Sequence, residues 1–400
     1  MSDWLDEIVG ESGFGIDNLP YGVFSTASTG ERAARRIGVA LGAHVLDVAG
    51  ALDDPGFATH SLNEFLAQGR SAWTATRNRL QDLLSSARGD GLRDHLHAVD
   101  SVTLHLPFEV ADYVDFYASL DHATNLGRMF RPDSEPLTPN WRHLPIGYHG
   151  RAGTVVVSGT DIARPAGLRV LPGETAPTYG PSRKLDVEVE VGFVVGVPSA
   201  LGVPVPADAF ADHVFGAVLV NDWSARDIQA FEYVPLGPFL GKSFATSVSP
   251  WVVPLEALAA ARVPPPPQDP EPSAYLRGGE RWGIDVALEL ALNGEVLSRP
   301  PFGSMYWTAE QQLAHLTANG ASLRTGDLFA SGTVSGPSRD ERGSLIELSW
   351  NGTEPIHTAS GERTFLEDGD LVVISGHART AGGRVALGSV AGRVVPGHPG

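Results

Sequence analysis

Along this chain, apolar and polar positions mostly alternate in short runs, and helical spacing is rare. Tyr21-Gly22-Val23-Phe24-Ser25 and Arg36-Ile37-Gly38-Val39-Ala40 read as short strands, as do 154–158, 187–195, 215–221, 284–292, 345–350 and 371–375. Asn293-Gly294 and Asn351-Gly352 punctuate the pattern as hairpin-type turns. Helical spacing of Leu62, Phe65, Leu66, Trp73, Leu80, Leu83 and Leu84 predicts helix over 62–84. Thr308, with Gln311 three residues on and Gly320 beyond, predicts a capped helix. Pro264 to Pro267, with Pro270 and Pro272, cannot join a ladder and read as a stiff surface connection. The expected fold is mainly β with few helices: a small N-terminal unit over 1–110 and a larger β-sandwich or roll over 111–400.

Composition then removes whole classes of function. At 400 residues and 42% hydrophobic, the chain can bury a real core in two or three domains. No apolar run approaches the roughly 18 residues that span a bilayer. The opening Met1-Ser2-Asp3-Trp4-Leu5-Asp6-Glu7 is acidic and lacks a signal-peptide pattern, so a cytoplasmic protein without a membrane partner is expected. The absence of cysteine excludes disulfides, thiolate metals and a cysteine nucleophile. A net charge of −18 argues against a nucleic-acid partner. The chain's only lysines are Lys184 and Lys242, which predicts that both are kept for a purpose, Lys242 in its glycine-led turn above all.

Candidate chemistry is densest between 112 and 246. Asp186, Glu188 and Glu190 alternate with three valines, so a strand would put the acids on one face and the valines on the other. Such a face is either solvated or gathered round a hard divalent cation. Asp115, Tyr117 and His122 bring an acid, a phenol and an imidazole close together, suited to a metal ligand, a hydrogen-bond donor and a general base, or else to packing and capping. Arg131 or Arg151 suits a substrate carboxylate or an ordinary ion pair. Asp222 stands at the end of the apolar run Val218-Leu219-Val220. Gly241-Lys242-Ser243 lacks the rest of a phosphate loop, since Leu236 and Pro238 occupy positions such a loop cannot accept. Glu347 reads on its own as an exposed strand position.

Several longer runs carry a resemblance. They are His122-Ala123-Thr124-Asn125, Leu144-Pro145-Ile146-Gly147-Tyr148-His149-Gly150-Arg151, Asn221-Asp222-Trp223-Ser224-Ala225-Arg226-Asp227-Ile228-Gln229 and Tyr233-Val234-Pro235-Leu236-Gly237-Pro238-Phe239-Leu240-Gly241-Lys242-Ser243-Phe244. Through these the chain resembles the fumarylacetoacetate hydrolase family from about residue 15 to 395. The resemblance implies an N-terminal SH3-like barrel, a C-terminal mixed β-sandwich roll and a homodimer. It implies hydrolysis of the carbon–carbon bond of a diketo-dicarboxylate, 4-fumarylacetoacetate, in tyrosine and phenylalanine breakdown. It also implies Ca²⁺ or Mg²⁺ on Asp115, Glu188, Glu190 and Asp222, and a second Mg²⁺ near Asp222, Lys242 and Thr246, where Lys242 would offer its backbone carbonyl. His122 would be the base, oriented by Glu347, with Arg226, Gln229 and Lys242 stabilising the oxyanion. Tyr117, Arg131, Tyr148, Gln229, Tyr233 and Thr333 would contact substrate. Asp186 is not a ligand in that pattern, and Ala245 stands where glycine is expected, making a positive φ costly. An acylpyruvate hydrolase or β-keto-acid decarboxylase of the same superfamily is the nearest rival, and a non-catalytic dicarboxylate-binding module the next.

Overall fold

A computed structural model describes residues 3–26, 34–86, 89–278, 281–359, 361–380 and 383–397; Met1 and Ser2 of the acidic opening lie outside them. Near the N-terminus, Tyr21–Thr26 pairs antiparallel with both Arg36–Leu41 and Val102–His105, inside a five-stranded sheet. The end strands of that sheet do not pair, so it is a half-barrel form of the expected small β unit. The run 62–84 forms two helices, Asn63–Leu66 and Arg70–Ser85, parted around Gly69.

The larger part is built on two sheets. One has eight strands, in the order Gly147–His149, Tyr113–Phe116, Leu328–Ala330, Val189–Val195, Val214–Asp222, Thr246–Val248 and Val155–Val157, with Val253–Pro254 also on Val214–Asp222. Two of its pairings are parallel, so the sheet is mixed. The other has five strands and contains the hairpin Val286–Leu292 to Glu295–Ser298, closed by Asn293 and Gly294 at φ 52° and 85°. Successive residues of a strand face opposite sides. Ala217 and Leu219 therefore join the core between the large sheets, while Val218 and Val220 join Phe65, Trp73, Leu80 and Leu84 of the N-terminal helices. The N-terminal unit thus covers the face of the sheet that Glu190 shares with Val220, its cross-strand partner, away from the core between the large sheets.

Two expectations fail locally. Residues 345–350 are not a strand: Leu345–Leu348 is a helical turn, fully buried. Its first two N–H groups, on Leu345 and Ile346, are taken by the Asp186 carboxylate, which favours a turn over a ladder. Asn351-Gly352 consequently follows a helix and joins no hairpin. Conversely, Gly383–Val395 is the longest strand described, although its interleaved Gly, Ser and Arg hid it. The capped helix is present as Ala309–Thr317, with Thr308 and Gln311 bonded reciprocally. Ala245 is not among the described residues with positive φ, so no strain attaches to the missing glycine.

Candidate active site

Asp115, Glu188, Glu190 and Asp222 converge, each offering an oxygen within 4.8 Å of the others. Sheet register does this. Gly192 pairs with Ala330, which pairs with Asp115, so Asp115 lies level with Gly192, two positions from Glu190. Val189 pairs with Asn221 and Asp222 with Thr246, which brings Asp222 to the same end of the sheet. The valines between the acids are core, and the acids themselves are buried, at 0 to 4% exposure. The solvated-face reading of the ladder is therefore excluded.

Buried carboxylates need partners. Asp222 accepts from Tyr148 Oη at 2.6 Å, Lys242 Nζ at 2.9 Å and Thr246 Oγ1 at 2.8 Å. Glu188 is paired with Lys242, and with Arg226 Nη2 at 2.8 Å. Burial alone would raise the Glu188 carboxyl, but Lys242 and Arg226 outweigh it and hold the group well below its ordinary value. Asp115 receives one backbone bond, from Gly332 at 3.2 Å. Among the described residues, no donor reaches either oxygen of Glu190. Burial, then the neighbouring acids, push Asp115 and Glu190 well above the usual carboxylate range. A cage of four oxygens, one of its carboxylates without a donor among the described residues, suits a divalent cation.

Beside this cage, Ser119 caps the helix Leu120–Phe130 and His122 stands on its first turn, 2% exposed. His122 Nδ1 lies 2.7 Å from Glu347 Oε2. Glu347 also accepts from Asn125 at 2.9 Å, Ser335 at 2.9 Å and Ser344 at 2.7 Å. Burial would raise its carboxyl, yet His122 and these donors bring it down to about 2. An ionised Glu347 fixes the proton on Nδ1 and leaves Nε2 as the acceptor. The exposed-strand reading of Glu347 is thereby overturned. Asn125, Ser335 and Ser344 were missed; only Asn125, three residues from His122 on one helix face, left a local signal.

Both arrangements meet a single cavity of about 410 Å³. Its walls include Asp115, Glu188, Tyr117, His122, Arg131, Tyr148, Arg226, Gln229, Tyr233, Lys242 and Thr333. Glu190, Asp222 and Thr246 lie behind that wall and Glu347 behind His122. Thr333 Oγ1 is buried without a partner. Arg131 donates to the Pro136 carbonyl at 2.7 Å and still borders the cavity. Arg151 borders a smaller neighbouring recess instead. Lys184 is elsewhere, bonded to Asn351 and over the Phe365 ring, so only one of the two lysines serves the site.

Comparison with known proteins gives relatives along nearly the whole chain. Residues 17–107 match the family model Fumarylacetoacetase N-terminal, and 112–395 match Fumarylacetoacetate (FAA) hydrolase C-terminal. Fumarylacetoacetases of Rattus norvegicus and Homo sapiens are each 48% identical over 410 residues, covering 96% of this chain and 97% of theirs. That of Arabidopsis thaliana is 45% identical, covering 98% of both. Among solved structures, a fumarylacetoacetate hydrolase from psychrophilic Exiguobacterium antarcticum shares the fold at a TM-score of 0.57 and 18% identity, covering 94% of this chain and 99% of that one. A maleylpyruvate hydrolase from Sphingobium sp. SYK-6, solved with manganese (II) ion and pyruvate, does so at 0.52 and 15%, covering 94% and 100%. Identity of this order, sustained across both units of the chain, makes it a member of the fumarylacetoacetate hydrolase family.

Proposed function

We propose that this chain hydrolyses the carbon–carbon bond of 4-fumarylacetoacetate, giving fumarate and acetoacetate. The observation that carries the reading is the opening of the Glu347–His122 pair into the same cavity as Asp115 and Glu188. Ca²⁺ or Mg²⁺ would be held by Asp115, Glu188, Glu190 and Asp222, and would supply Lewis-acid polarisation of the diketone. A second Mg²⁺ would lie by Asp222, Thr246 and the backbone carbonyl of Lys242, whose ammonium faces Glu188 and Asp222.

The chain's own groups then divide the work. His122 Nε2 takes a proton from water as the oxygen attacks the acyl carbon, and Glu347 stabilises the imidazolium that forms. Arg226, Gln229 and Lys242 border the cavity where negative charge develops on the carbonyl oxygen. Such donors are often worth about 3 kcal/mol each. The carbon–carbon bond breaks, the acetoacetate carbanion takes back the proton held by His122, and fumarate keeps the water oxygen. Tyr117, Arg131, Tyr148, Tyr233 and Thr333 orient the substrate, Arg131 facing a terminal carboxylate.

We further place the boundary between the two units near residue 110 and read the working form as a homodimer. Phe231, Val234, Leu236, Phe239 and Leu240 form an exposed apolar run, Leu236 at 97% exposure, which a second copy would cover. A chain without cysteine fits a reducing compartment, here the cytoplasm. Its charge of −18 suits neither nucleic acid nor an anionic membrane surface. The test is an absorbance assay of fumarylacetoacetate loss with and without chelator. Chelator-sensitive turnover is expected. Faster cleavage of an acylpyruvate, or release of CO₂ from a β-keto acid, would move the chain to its rival activities; no turnover of any of these would overturn the reading.

A further inference from the structure

Asp186 is the acid of the ladder that does not join the cage. Its carboxylate is 0% exposed and accepts four N–H groups. Oδ1 receives Leu345 N at 2.7 Å and Val187 N at 2.8 Å. Oδ2 receives Arg226 Nε at 2.8 Å and Ile346 N at 3.2 Å. A carboxylate has about four lone-pair sites, and all of them are used. Pairing with Arg226 alone would offset part of the cost of burial. Of the other three bonds, two come from the first turn of the helix that carries Glu347 and one from the neighbouring Val187.

Two chains of contact therefore start at one side chain. The first runs from Asp186 through the N–H groups of Leu345 and Ile346 to Glu347, and from Glu347 to His122. The second runs through Arg226, whose outer nitrogens reach Glu188 Oε1 at 2.8 Å and Gln229 Oε1 at 3.3 Å. We propose that Asp186 is a positioning residue for the hydrolysis, holding the Arg226 guanidinium and the Glu347 turn in one register. It thereby sets the proton-transfer pair against the groups that stabilise the oxyanion. This assignment rests on the function proposed above.

Asp186→Asn tests it. The amide keeps the shape but turns one acceptor into a donor facing either Arg226 Nε–H or a helix N–H. Expected are a kcat lowered by about 10- to 100-fold, the scale of lost supporting contacts at such sites, and a nearly parental KM. Calorimetric Ca²⁺ titration should match the parent. Histidine ¹⁵N NMR should show His122 leaving its single Nδ1–H tautomer, which a loss of bulk stability would not produce. A parental kcat overturns the proposal, as does a lowered kcat with a parental histidine spectrum. If the Asn variant does not fold, Arg226→Lys carries the test, because it cuts only the second chain. A lowered kcat with a parental His122 spectrum is then expected, and loss of that spectrum overturns the arrangement. Failure of the parent to cleave fumarylacetoacetate would sink the underlying function, whereas the histidine spectra judge Asp186 without turnover.

Discussion

Glu347 shows at the scale of one side chain how tertiary contacts decide chemistry. Its four hydrogen-bond partners come from three separate segments, so nothing within 345–348 announces its burial. The ladder, by contrast, is readable, because period-two alternation of acids and valines is a local property. His122→Ala should abolish turnover while calorimetric Ca²⁺ binding persists, since the imidazole is not part of the carboxylate cage; near-parental activity would remove His122 as base. Glu347 also has a signature in acid. Its carboxyl is lowered from 4.5 to about 2, so the folded state favours the ionised form. The resulting stability, on the order of 3 kcal/mol, is fully present above pH 4.5 and is lost as pH falls through about 2. Denaturant midpoints of the parent and Glu347→Gln should accordingly lie furthest apart near pH 6, with the gap reduced by about half at pH 3. A gap independent of pH would mean that folding leaves the carboxyl at its ordinary value.

At the scale of elements, the short β-rich runs were legible wherever valine and leucine dominate, as in Val214–Asp222 and Val286–Leu292. Legibility failed where one residue of a distant strand redirected the backbone, as Asp186 does for Leu345–Leu348. It failed again in Gly383–Val395, where partners across the sheet supply what composition lacks. One connection has a direct consequence for the site. Gly332 follows the strand Leu328–Ala330, has φ 75°, and would place a Cβ 2.2 Å from the Phe116 carbonyl oxygen. Its N–H also reaches Asp115, and Thr333 follows it into the cavity wall. Gly332→Ala should therefore destabilise by more than about 1 kcal/mol, through strain as well as overlap. It should also lower kcat/KM through displaced Thr333 and Asp115. Thermal unfolding together with steady-state kinetics checks this, and a variant with parental values in both would show that the loop relaxes freely.

For the molecule as a whole, the cage exists only because strands from residue 113 to residue 222 are brought together, and the N-terminal unit packs on the same face of the sheet, against Val218, Val220 and Ala330. The proposed homodimer makes its own prediction: Leu236→Asp, at a position 97% exposed, should shift sedimentation from dimer toward monomer without loss of fold, while a parent that sediments as a monomer would remove the dimer and an unchanged dimer would place the interface elsewhere. The cage makes the sharper one. Four buried carboxylates face the cations Lys242 and Arg226, and Glu190 has no donor among the described residues, so the folded protein carries repulsion that an added cation relieves. A ligand that binds only the folded state adds about 2.7 kcal/mol at a hundred times its dissociation constant. The unfolding temperature should therefore drop with chelator and climb with each tenfold rise in Ca²⁺. Glu190→Gln keeps the shape, removes the orphaned charge and offers an amide to Asp115. That variant should unfold at a higher temperature than the chelated parent and respond little to Ca²⁺. A chelated variant less stable than the chelated parent would show that Glu190 is not a source of repulsion, and an undiminished Ca²⁺ response would show that it is not a ligand.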